Sequence, residues 1–92
     1  MKRLTAIFTG RVQGVGFRFT TVRLAGAYDG LSGFVMNQFD GTVLLVAEGD
    51  EDDLRALLND IRRSGLGRHI TDLQTQWRAA TGKFEGFGVR YS

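Results

Sequence analysis

Sorted only into apolar and polar positions, the chain breaks into strand-like and helix-like segments separated by glycine-containing turns. Met1–Thr9 alternates loosely, with Leu4, Ala6 and Phe8 set against Thr5, Ile7 and Thr9. Apolar residues on both faces predict a strand inside a sheet rather than at its margin. Over Phe19–Tyr28 the period lengthens. Phe19, Val22 and Ala25, with Leu24 and Tyr28 close by, predict a helix that lays one side on the sheet and ends at Asp29-Gly30. Leu31–Gln38, rich in Phe34, Val35 and Met36, reads as extended. Asp40-Gly41 is a hairpin signal, and Thr42–Glu48 is the return strand, with Val43, Leu45 and Ala47 on one face and Leu44 and Val46 on the other.

Asp50–Arg63 carries the clearest helical pattern. Leu54, Leu57, Leu58 and Ile61 fall at i, i+3, i+4 and i+7. Asp50 is placed to cap the start, Glu51-Asp52-Asp53 favour the positive end of the helix dipole, and Arg62 and Arg63 complement the negative end before Gly65 stops it. A metal site in this acidic run is a poor alternative, because consecutive helical residues point in different directions. Leu66–Arg68 is a link. His69–Ala79 alternates Leu73, Thr75 and Trp77 against Asp72, Gln74 and Gln76, as expected near a sheet edge. His69 has no Ser, Cys or acid at an informative spacing and reads as a surface or link residue. A turn at Thr81-Gly82 leads to a short strand around Phe87–Tyr91. The order β-α-β-β-α-β plus a terminal strand predicts an α+β, two-layer, ferredoxin-like sandwich, with a mainly antiparallel sheet and two helices on one face.

Composition narrows the class. The 92 residues, 42% of them hydrophobic, are expected to form a single domain over 1–92 with one core. The absence of cysteine removes disulfides, thiolate ligands and cysteine nucleophiles. No apolar run reaches membrane-spanning length and no signal segment precedes the first strand, so a cytoplasmic location without membrane partners is expected. A net charge of +2, from ten arginines and two lysines against ten acidic residues, is too small to imply nucleic acid.

The candidate chemistry lies between the first strand and first helix, in Gly10-Arg-Val-Gln-Gly-Val-Gly-Phe-Arg18. Gly14 and Gly16 permit positive φ, so the loop can turn its amides inward beside a helix N-terminus, where N–H groups are unpaired. Arg18 adds a planar donor fork. Together these suit a small phosphorylated anion. The spacing fits neither a dinucleotide loop, since Phe19 stands where a third glycine is needed, nor a triphosphate loop, since no Gly-Lys-Ser/Thr follows. On the residues alone, an anion site and a plain structural turn both remain open.

The same nine residues resemble the signature of the acylphosphatase family. Gly33-Phe-Val-Met-Asn37 with Asp40-Gly41-Thr-Val43 is similar to that family's second motif, and Phe87-Gly-Val-Arg-Tyr91 to its usual ending. The resemblance implies an acylphosphatase, an enzyme that hydrolyses the carboxyl–phosphate bond of an acyl phosphate to a carboxylate and inorganic phosphate, without metal or cofactor. It implies Arg18 and Asn37 as catalytic residues. The phosphate would be bound by the backbone amides of Gln13, Gly14, Val15, Gly16 and Phe17. The Asn37 amide, donor and acceptor at once, would orient the attacking water. Arg11 and the Gln13 side chain read as scaffolding or rim. The implied partner is a small acyl phosphate, such as bisphosphoglycerate, carbamoyl phosphate or acetyl phosphate, met by a monomer.

Departures from the pattern fall outside the Arg18–Asn37 pair. Met36 stands where the family has arginine, Phe34 where it has tryptophan, and Gly65-Leu-Gly-Arg68 where a Gly-Pro segment is common. The link after the first helix is one residue longer than usual. Two rival readings are weighed. One is a non-catalytic anion-binding module, since the signature also occurs in a domain of larger carbamoyltransferases. The other is single-stranded RNA binding, faintly echoed by Lys83–Tyr91. An RNA platform needs its aromatic residues on the third strand, and Val43–Ala47 has none.

Overall fold

The computed structural model describes residues 1–91. Five strands form one sheet: β1 (Lys2–Gly10), β2 (Ser32–Asn37), β3 (Val43–Gly49), β4 (Ile70–Ala79) and β5 (Phe87–Val89), in the order β4-β1-β3-β2-β5. All pairings are antiparallel except β2 with β5. The two helices, α1 (Phe17–Ala25) and α2 (Glu51–Arg63), join the expected sandwich, and β4 takes the edge that its alternation predicts.

Register explains the core. Leu4, Ala6 and Phe8 of β1 stand opposite Ala47, Leu45 and Val43 of β3, and Val35 of β2 stands opposite Leu45. These side chains are buried on one face, where Leu54, Leu57 and Ile61 of α2 and Phe17 and Ala25 of α1 cover them. Each buried Val, Leu, Ile or Phe among them contributes about 1.5–3 kcal/mol by leaving water. Tyr28 donates its hydroxyl to Asp60 and so ties the segment after α1 to α2. That bond, and after it burial, raises the Tyr28 pKa above its ordinary 10.0.

Several expectations need correction. The first helix starts at Phe17 and ends at Ala25, where Gly26 and three successive turn bonds take over before Asp29-Gly30 is reached. Its buried line is Phe17, Thr21 and Ala25, while Phe19 is 63% exposed. The four-residue step from Phe17 wins over the three-residue step from Phe19 because the ring of Phe17 packs on Phe8 at 4.9 Å between centroids. Asp50 does occupy the position before α2, but its side chain makes no capping bond. The acidic first turn acts there through the helix dipole. His69 closes a 3₁₀ turn, and β4 starts one residue later.

Candidate active site

Chain direction brings the site together. β1 and β2 both run antiparallel to β3 and therefore point the same way, and β5 runs parallel to β2. The C-terminal ends of β1, β2 and β5 consequently meet at one end of the sheet, beside the N-terminus of α1. Loops at that end have a rigid scaffold on both sides, the usual setting for chemistry.

The loop after β1 is anchored at two buried points, Val12 and Phe17. Between them Gly14 (φ 77°) and Gly16 (φ 79°) are left-handed, and no residue other than glycine has positive φ among those described. Signs of φ therefore alternate along 14–17, the torsional pattern that turns successive amides toward one concavity. A Cβ at Gly14 or Gly16 would meet nothing within 4 Å, so torsion, not space, requires glycine there. Gly10 is different: a Cβ there would lie 2.2 Å from the His69 carbonyl, which accepts from the Arg11 amide at 3.0 Å. The first amide that donates into α1 is that of Thr20, to Gly16 at 3.0 Å. Among the described residues, the amides of Gln13 to Phe19 donate to no backbone carbonyl. They are the free donors that the glycine signature implies.

The Gln13 side chain is a fastener. Its Nε2 donates to the carbonyl oxygens of Gln38 (2.7 Å) and Thr42 (3.0 Å), pinning the loop to the turn after Asn37. That turn is itself held by Asp40, whose Oδ1 accepts from the Thr42 amide (3.0 Å) and hydroxyl (2.6 Å). The same two bonds, hydroxyl first, lower the Asp40 pKa below its ordinary value. Arg11 is exposed and makes no side-chain bond among the described residues.

Arg18, Asn37, Arg90 and Tyr91 line a cleft of about 290 Å³. The parallel register Val35↔Val89 carries forward by two residues to set Tyr91 beside Asn37. The Tyr91 ring centroid lies 5.1 Å from the Arg18 guanidinium carbon, and that of Phe19 lies 5.9 Å away. Arg18 has no carboxylate partner among the described residues. Among the described residues its guanidinium is flanked by aromatic rings and meets no carboxylate. Asn37 Oδ1 is buried without a hydrogen-bond partner, which leaves Nδ2 as the end of the amide that faces the cleft. The structure therefore brings Arg18 and Asn37 to one cavity, with the 13–17 amides at the start of the same helix.

Tyr91 and Arg90 are site residues that the sequence pattern does not single out. Their signal was present in the chain-end motif, but only the parallel pairing of β5 with β2 turns it into a wall of the cleft. A wider hollow of about 440 Å³ around Phe34 and Phe84 shares Arg90 with this cavity, and there the Arg90 guanidinium stacks 3.7 Å from the Phe34 centroid. No group of three or more His, Cys, Asp or Glu able to hold a metal occurs among the described residues, and no helix there is long and apolar enough to cross a membrane.

Comparison with known proteins agrees with this geometry. A family model described as Acylphosphatase matches residues 4–89. The chain is 43% identical over 89 residues to an acylphosphatase of Salinibacter ruber, covering 97% of this chain and 93% of that one. Acylphosphatase from Bacillus subtilis has the same fold, with a TM-score of 0.85, 31% identity and coverage of 99% and 100%. HypF of T. kodakarensis is similar over all of this chain but only 12% of its own length, with a TM-score of 0.83 and 30% identity. By motif, fold and relatives alike, the chain belongs to the acylphosphatase family, hydrolases that act on acyl phosphates.

Proposed function

We propose that the phosphoryl group of the acyl phosphate sits in the cleft between Arg18 and Asn37. The Arg18 fork and the amides of Gln13, Gly14, Val15, Gly16 and Phe17 bind its oxygens. The observation that carries this reading is that Arg18, without a carboxylate partner among the described residues, lines one cavity with Asn37 at the start of a helix whose preceding loop amides are unspent. Charge-assisted bonds to phosphate from a planar fork are the strong class, and helix-start amides add to them without reorganising.

The Asn37 Nδ2–H donates to the oxygen of the attacking water and directs its remaining lone pair at phosphorus. The water oxygen bonds to phosphorus and the bond from phosphorus to the carboxyl oxygen breaks, with its electron pair leaving on the carboxylate. The water proton passes to solvent. Because the leaving carboxylate is weakly basic, no strong general base is required, and catalysis reduces to placement and charge stabilisation. On this reading the chain is a single domain acting as a monomer in the cytoplasm on small acyl phosphates, with no nucleic-acid or membrane partner.

The test is steady-state kinetics with benzoyl phosphate together with inorganic phosphate as inhibitor. Phosphate and sulfate share the group that the cleft binds, so both are expected to compete with substrate. Asn37→Ala is expected to lower kcat roughly a hundred-fold or more with little change in phosphate affinity, as for loss of one preorganised catalytic group. Non-competitive inhibition, or near-wild-type kcat in Asn37→Ala, contradicts the reading. A non-catalytic binder would release no phosphate at all.

A further inference from the structure

Three polar or charged side chains are buried among the described residues: Thr21, Thr42 and Glu48. Two of them are well supplied. Glu48 accepts four bonds from Arg3, Thr81 and Gly82. The Thr42 hydroxyl donates to Asp40 and accepts from Gln38 Nε2 at 2.9 Å. Thr21 is the exception. It is fully buried, and its Oγ1 has no partner.

The one other buried side-chain atom without a partner among the described residues is Asn37 Oδ1. Buried polar atoms are so regularly satisfied that two orphans call for a shared explanation. Topology puts them on the same seam. α1 packs on β2 and β5, and Thr21 lies on its buried line with Phe17 and Ala25. Asn37 follows Val35 by two residues in β2, so its side chain leaves the sheet on the same, helix-covered face. Thr21 also sits three residues after Arg18, one turn further along the helix that lines the cleft. A hydroxyl both donates and accepts, whereas Oδ1 only accepts.

We infer that Thr21 is a positioning residue for Asn37. Its hydroxyl donates to one bridging water that in turn donates to Oδ1, and so holds the amide with Nδ2 toward the phosphoryl group. The inference rests on the water-orienting role proposed for Asn37. With Thr21 in place, the amide cannot rotate to present an acceptor to the phosphate without losing this bond. Thr21 would touch neither substrate nor water, and its effect would pass wholly through Asn37.

The test compares Thr21→Val, Thr21→Ser, Asn37→Ala and the double variant Thr21→Val/Asn37→Ala. The measurements are benzoyl phosphate kinetics, inorganic phosphate binding by calorimetry, and urea unfolding. Valine keeps the shape and removes the hydroxyl, so Thr21→Val is expected to fold as stably as the parent or more so. It should lower kcat roughly ten-fold or more through misplacement of the amide, with phosphate affinity unchanged. Serine should restore the rate. In the Asn37→Ala background Thr21→Val should cost nothing further. The inference is overturned if Thr21→Val keeps full kcat, if Thr21→Ser is as slow as Thr21→Val, if the two losses add, or if the hydroxyl proves to matter only for stability. Should Thr21→Val not fold, Thr21→Ala replaces it with the same expectations for kcat and additivity. A normal kcat in Asn37→Ala would instead sink the underlying role of Asn37, which separates the two failures.

Discussion

Gln13 is hydrogen-bonded to the main chain of Gln38, its Nε2 lying 2.7 Å from that carbonyl oxygen, and a second bond reaches Thr42. One side chain thereby sets the distance between the phosphate loop and the strand end that carries Asn37. Gln13→Ala is expected to cost roughly 1 kcal/mol of stability, the net worth of such bonds at a half-buried site. The larger expected effect is functional: a several-fold loss in kcat with weaker inorganic phosphate binding, because both halves of the cleft lose their common fastening. Urea unfolding and kinetics on the same preparation check the two parts. A loss of stability with unchanged kcat would make Gln13 a structural tie only.

Acid stability should be governed in part by Glu48. Burial would raise its pKa, but the bonds from the Thr81 amide, Arg3, the Gly82 amide and the Thr81 hydroxyl outweigh it, and the pKa falls from 4.5 to about 2. A depressed carboxylate stabilises the fold fully above its unfolded value and progressively less as pH drops toward the folded one. The contribution is therefore present above pH 4.5 and fades between 4.5 and about 2. Glu48→Gln is expected to be less stable than the parent at neutral pH, with the difference shrinking through this window. Denaturant midpoints at a series of pH values measure it. A difference that stays constant down to the low end would show that the Glu48 charge is not what those bonds serve.

Chelation offers a third check. On the proposed reading Arg18 and the loop amides supply the positive charge for the phosphoryl oxygens from the chain itself, so protein treated with EDTA is expected to keep its full rate. Phosphate release before and after treatment tests this. Loss of activity that magnesium or zinc restores would overturn the proposed charge stabilisation.

Parts of this design were legible in the sequence for physical reasons. The stripe Leu54, Leu57 and Ile61 buries as its period requires, and the Asp40-Gly41 turn forms where the hairpin signal stands. Two loop glycines in the left-handed region are what the first motif demands. The first helix was harder, because its buried line includes Thr21, a polar residue that hydrophobic patterning assigns to water. Phe19 looked like the core residue in its place and is instead exposed beside Arg18. The far wall of the cleft was legible only as a chain-end motif, without its place in the site. Tyr91 reaches Arg18 only through the parallel pairing of β5 with β2, a long-range register that no local pattern encodes. The fastening by Gln13 likewise spans 25 residues of chain.

The central claim is that phosphate is bound by Arg18 at the start of α1. Its most direct test is calorimetric titration of Arg18→Ala with inorganic phosphate, beside the parent protein and Arg18→Lys. Removing the fork should abolish measurable binding and turnover together. Lysine, which restores the charge without the planar geometry, should recover little of either. Phosphate affinity in a folded Arg18→Ala protein equal to that of the parent would place the anion elsewhere and contradict the account.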